Sequence, residues 1–182
     1  MLLFAALAPV SLVALPLAAL LVVARPRTRA EWLAVALAGG AGVALLAGPE
    51  HGVFDGLSRA WIVLLTVAFA AGARLSPAGF WPLALRACLY AAAGVTVLVG
   101  RAAAGPAVWT EVQWEATRSA SRVVRYVIEV APGLYPAFEP AVRVLAAWPL
   151  WLVVESLAGL ALAWRGHTLI ARTPLSAAGV NH

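Results

Sequence analysis

Few residues of this chain could do chemistry, and the two that stand out lie where charge is costly. Glu155 falls near the middle of Trp148–Arg165, an otherwise apolar stretch of span length, and Arg86 falls inside a second such stretch, Phe80–Val99. A carboxylate at bilayer depth costs on the order of 2.5–3.5 kcal/mol on insertion scales and marks a functional-site hypothesis. Helical spacing puts Glu155 on one face with Gly159 and Ala163, beside Ser156, and small residues on such a face favour contact with other helices. Arg86, Tyr90, Ala93 and Gly94 make a comparable face on the other stretch. At a rise of about 1.5 Å per residue, Glu155 lies roughly 15 Å and Arg86 roughly 10 Å from the same membrane boundary, a difference that an arginine side chain spans. The expected arrangement is an interhelical ion pair of Glu155 and Arg86, with the Tyr90 hydroxyl as a third member. Two others stay open: Arg86 snorkelling to the interface while Glu155 remains neutral, or a small-molecule or proton site at the two residues.

Other reactive constellations are thin. Cys88 is the only cysteine and sits within a span, so no intrachain disulfide or thiolate metal site exists, and it reads as a small buried filler. His51 beside Glu50 in a glycine turn reads as a solvated loop pair, and His167 and His182 lack ligand-spaced partners. There is no glycine-rich phosphate loop, and no serine or cysteine has a recognisable base at hand. The expectation is a protein that is not an enzyme and holds no metal and no cofactor.

The elements that position these charges follow from hydropathy. The chain has 182 residues, is 63% hydrophobic and only 12% charged, with a mean hydropathy of +0.90. A soluble domain carries roughly 25% charged residues, so these values and the blockwise apolar runs predict one all-α integral membrane domain. Spans are expected at about 2–23, 32–47, 57–73, 80–99 and 148–165, with a tail at 166–182. Leu2–Val23 carries its basic cluster, Arg25, Arg27 and Arg29, after the apolar run rather than before it, so it reads as a retained first span and not a signal peptide. Pro9 and Pro16 should bend it. In the second span Gly39, Gly40 and Gly42 offer a close-packing point, as does Gly159 in the fifth. Trp32, Trp61, Trp81, Trp148, Trp151 and Trp164 all fall near span ends, where indole rings favour the interface.

Between the fourth and fifth spans, 106–131 is amphipathic. Glu111, Glu115, Arg118, Arg122, Arg125 and Glu129 recur three or four residues apart and form one charged stripe, opposed by a weaker valine-rich one. The expectation is a helix lying on the bilayer surface, anchored by Trp109 and Trp114, with a partner-docking surface or a lid as alternatives. The thirteen arginines, with no lysine, are scattered rather than clustered, which argues against nucleic acid. Arginine without lysine, amid abundant Ala, Gly and Pro, suggests a GC-rich bacterial coding sequence and hence the bacterial inner membrane. With five spans the arginine count ties across the two sides. The compact cluster after the first span favours the amino end outside and the carboxyl end inside.

The Arg/Glu amphipathic segment, the approach Tyr135-Pro136, the run Leu160-Ala161-Leu162-Ala163-Trp164, the sequence Arg172-Thr173-Pro174-Leu175 and, loosely, Ala84-Leu85-Arg86-Ala87 resemble the YybS-like family of predicted bacterial membrane proteins. The resemblance covers about 80 residues. That family is similar to the substrate-binding membrane subunits of energy-coupling-factor vitamin transporters, and its members continue with further spans past the position of His182. The resemblance implies a transporter subunit that needs a separate ATPase and coupling protein. Two roles follow from the whole reading. One is a non-enzymatic subunit of a larger membrane assembly, packing through its small-residue faces around Gly39–Gly42 and Gly159. The other is a substrate-binding subunit with its site near Glu155 and Arg86.

Overall fold

The computed structural model describes residues 2–48, 53–75, 79–101, 108–114, 118, 125, 129 and 148–171. Every element among them is helical: α1 (Leu2–Val23), α2 (Arg29–Leu46), α3 (Val53–Leu75), α4 (Phe80–Arg101) and α5 (Trp148–Ile170), and the described residues 108–114 between the last two are helical as well. Three of them, over Arg29–Leu46, Asp55–Leu75 and Phe80–Arg101, are long and apolar enough to cross a membrane, and Val10–Val23 adds a shorter apolar stretch. The helices extend past the apolar runs into their charged flanks, because helical hydrogen bonding continues beyond the point where hydropathy falls.

Local sequence accounts for the ends. Thr28 caps α2: its Oγ1 accepts from the Glu31 N–H at 3.2 Å, while the Glu31 carboxylate accepts from the N–H groups of Thr28 at 3.0 Å and Arg27 at 2.7 Å. This reciprocal box satisfies donors that a helix start leaves orphaned, and it lets Glu31 lie buried. α1 ends on Arg25 in the left-handed region at φ 58°, its N–H bonded to the Val22 carbonyl. A non-glycine residue pays roughly 1–2 kcal/mol for that conformation. Arg59 of α3 meets the end of α2: its Nη1 donates to the carbonyls of Leu46, the last residue of α2, and of Gly48 beyond it, while Nη2 donates to Asp55 at 2.8 Å. One guanidinium thus closes the α2–α3 corner.

Pairwise contacts give the direction of each helix. Leu15 of α1 meets Gly42 and Ala18 meets Gly39, so α1 and α2 run antiparallel; Gly72 meets Leu83 and Gly94 meets Leu64, so α3 and α4 do too. Leu12 meets Gly159 and Leu17 meets Gly166, so α1 and α5 run parallel. α3 and α5 are also parallel, because Trp61 bonds Ser156 and Phe69 packs on Trp164, the same sequence offset both times. The result is an up-and-down bundle in which α1, α3 and α5 point one way and α2 and α4 the other.

α1 is apolar on every side and sits inside the bundle, packing on α2, α3 and α5. Its Pro16 is fully buried. Proline lacks the N–H that would bond the carbonyl four residues back, here Leu12, and α5 crosses at that point: a Cβ on Gly159 would lie 3.0 Å from the Leu12 oxygen and 2.9 Å from its Cβ. The core continues through Leu20, Leu65, Phe69, Leu83 and Leu160, with edge-on rings of Phe69, Phe80 and Trp164 closing its lower end. α2 is peripheral, and Trp32, Leu33, Leu37 and Val43 lie on its uncovered side.

Candidate functional site

Glu155 and Arg86 are both exposed, and no ion pair joins them; among the described residues the salt bridge formed is Arg59–Asp55. The reason is angular rather than vertical. The ring contact of Phe80 with Trp164, centroids 6.1 Å apart, sets a common level on α4 and α5. Above it, Arg86 stands six residues and Glu155 nine residues along, or about 9 and about 13 Å. Height alone would allow the pair.

Around each helix, however, the two residues lie on different sides. Successive residues turn by about 100°. On α5 the residues Gly159 and Gly166 face α1, while Ser156 and Trp164 face α3. Glu155 falls just outside the α1 contact, away from α3. On α4 the residues Leu83 and Gly94 face α3, and the buried arc of Ala84 and Cys88 turns toward α5. Arg86 falls outside the α3 contact, away from α5, and Tyr90 follows it at 67% exposure. The expected triad of Glu155, Arg86 and Tyr90 is therefore corrected: Glu155 flanks the α1–α5 groove and Arg86 the α3–α4 groove.

The small-residue stripe on α5 explains why the expectation failed. Ala163 and Gly159 are buried. Each four-residue step overshoots a full turn by about 40°, so two steps rotate Glu155 by about 80° from Ala163, out of the contact. The glycine faces are used within the chain. α1 covers Gly39, Gly42 and Gly159, whereas Gly40 has nothing within 4 Å. Gly39, Gly42 and Gly159 are thus packing points between helices of one chain, and Gly40 lies on the uncovered side of α2.

A buried polar contact links α3 and α5, and single-helix patterns give no signal of it. Trp61 Nε1 donates to Ser156 Oγ at 2.9 Å, and Ser156 Oγ donates to the Leu152 carbonyl at 2.6 Å. Trp61 is thus a buried core residue and not an interfacial anchor. Trp164 is likewise packed, against Phe69 and Phe80, whereas Trp32 and Trp81 are exposed near the starts of α2 and α4. His167 is buried at 2% exposure with both ring nitrogens unpartnered, and Thr66 Oγ1 is also unpartnered. The free thiol of Cys88 is buried.

In the connecting segment, 108–114 is helical with Val112 buried and Trp109, Glu111 and Trp114 exposed. Arg118, Arg125 and Glu129 are helical and exposed, on the same stripe as Glu111. Arg122, Glu115, Glu50, His51 and residues 172–182 lie outside the described residues. No group of three His, Cys, Asp or Glu placed to hold a metal occurs among the described residues.

Fold and site together define the class: an all-helical, apolar bundle with uncovered charges on two of its edges. The chain matches no family model, no curated protein and no solved structure.

Proposed function

We propose that this protein is a non-enzymatic, multi-pass subunit of a larger assembly in a bacterial inner membrane, with five crossings at about 2–23, 32–47, 57–73, 80–99 and 148–165. The alternating helix directions support five crossings, the amino end outside and the carboxyl end inside. The segment 106–131 lies along the outer surface, its charged stripe toward water and Trp109 and Trp114 in the headgroups.

One observation carries the assembly role. Glu155 is exposed on α5, near the middle of the proposed crossing at 148–165, and a lipid-facing carboxylate there would cost on the order of 2.5–3.5 kcal/mol. Charged side chains at such depth face protein or water, and Glu155 is exposed beside the described helices. Native purification from the source membrane in mild detergent, with mass-spectrometric identification of every co-eluting chain, tests the reading. Stoichiometric association that Glu155→Gln weakens is the expected result. A chain that elutes alone as a single copy overturns it.

A further inference from the structure

Resting on the assembly role above, we propose that what covers Glu155 is a second copy of this chain, joined head to tail by an Arg86–Glu155 ion pair between copies. The two charges are opposite, exposed and inside apolar stretches, so each supplies what the other lacks. They lie on different edges, Arg86 beside the α3–α4 groove and Glu155 beside the α1–α5 groove. That excludes a pairing within one copy and makes the contact heterologous: the α3–α4 edge of one copy meets the α1–α5 edge of the next.

Height selects this arrangement further. Copies inserted with the same topology are related by rotation about the membrane normal, which preserves depth. Arg86 and Glu155 stand about 9 and about 13 Å above the shared Phe80–Trp164 level, a mismatch that an arginine side chain bridges. Tyr90, one turn above Arg86 and exposed beside it, sits at about 15 Å by the same rise and can donate its hydroxyl to the same carboxylate. After one contact each copy still has one unused edge, Glu155 on one and Arg86 on the other, so association continues until a ring closes.

A heterologous pair has a distinctive genetic test. Arg86→Glu puts two acids on one copy, and Glu155→Arg puts two bases on another. Each alone should lose the oligomer, since every contact becomes like-charged. Tagged differently and co-expressed, the two should restore it by alternating, and the double reversal in one chain should restore it alone. Native mass spectrometry from nanodiscs reads the copy number, and a helical circular dichroism spectrum shows that each variant folds. Where a reversal fails to fold, Glu155→Gln and Arg86→Gln carry the test, each expected to shift the population toward single copies. A wild-type oligomer unchanged by any of these variants overturns the proposal. A wild type that is single-copy yet co-elutes with other proteins overturns the second copy while leaving the assembly role standing. A single copy without other proteins overturns both.

Discussion

Replacing Gly159 with alanine adds one methyl group where α5 lies directly against the backbone of α1. The new Cβ would lie 2.9 Å from Leu12 Cβ and 3.0 Å from the Leu12 carbonyl oxygen, whereas carbon atoms rest at about 3.5–4.0 Å. Neither neighbour is the free end of a flexible side chain, so α1 and α5 must separate by roughly 0.6–1 Å. Overpacking of this kind costs about 1–3 kcal/mol. Alanine regains about 0.5–1 kcal/mol over glycine in a helix interior, leaving a net loss of up to about 2.5 kcal/mol. Gly40→Ala is the matched control, because nothing lies within 4 Å of its Cβ position. The helix term is common to both variants, so their difference isolates packing. Reversible unfolding in mixed micelles, followed by tryptophan fluorescence and circular dichroism, should place Gly159→Ala about 1–3 kcal/mol below Gly40→Ala. Equal stability within about 0.5 kcal/mol would refute the proposed α1–α5 crossing.

Ser156→Ala should cost about 1–2 kcal/mol by orphaning the Trp61 indole N–H, and in a double-mutant cycle with Trp61→Phe the second change should add little; full additivity in the same unfolding assay would deny the bond. Arg59→Lys keeps the charge but cannot reach Leu46, Gly48 and Asp55 at once, so a loss of about 1–2 kcal/mol is expected. An unaltered midpoint would show that the α2–α3 corner does not depend on the guanidinium. His167→Leu should leave stability unchanged or raise it, because both ring nitrogens are buried without partners. A loss above about 2 kcal/mol would reveal a polar role for that imidazole.

Hydropathy made the helices legible: each of the five apolar stretches corresponds to an observed helix, three of them long and apolar enough to cross a membrane, because apolar runs of that length have few alternatives. The start of α2 was readable too, since Thr28-Arg29-Ala30-Glu31 has the spacing of a capping box. What single-helix patterns do not contain is which arc of a helix each neighbour takes. Glu155 and Gly159 look coaxial at a four-residue spacing, and the drift of about 40° per step is enough to leave one buried and the other exposed. Trp61 shows the same limit. Its place near an apolar boundary suggests an interface anchor, yet Ser156, 95 residues away in the chain, turns it into a core residue. The covered glycines of α2 and α5 were recognisable as contact points, but not as contacts with α1.

The central claim is that the chain threads the membrane in alternating directions. Single cysteines at Arg27, Ala47, Gly79 and Ala171, in a Cys88→Ala background, can be probed in intact cells and in inverted vesicles with a membrane-impermeant maleimide. Labelling of Ala47→Cys from one side, with Arg27→Cys, Gly79→Cys and Ala171→Cys labelled from the other, is the predicted result. Reaction of Ala47→Cys on the same side as Arg27→Cys would contradict the account, because α2 would then not cross.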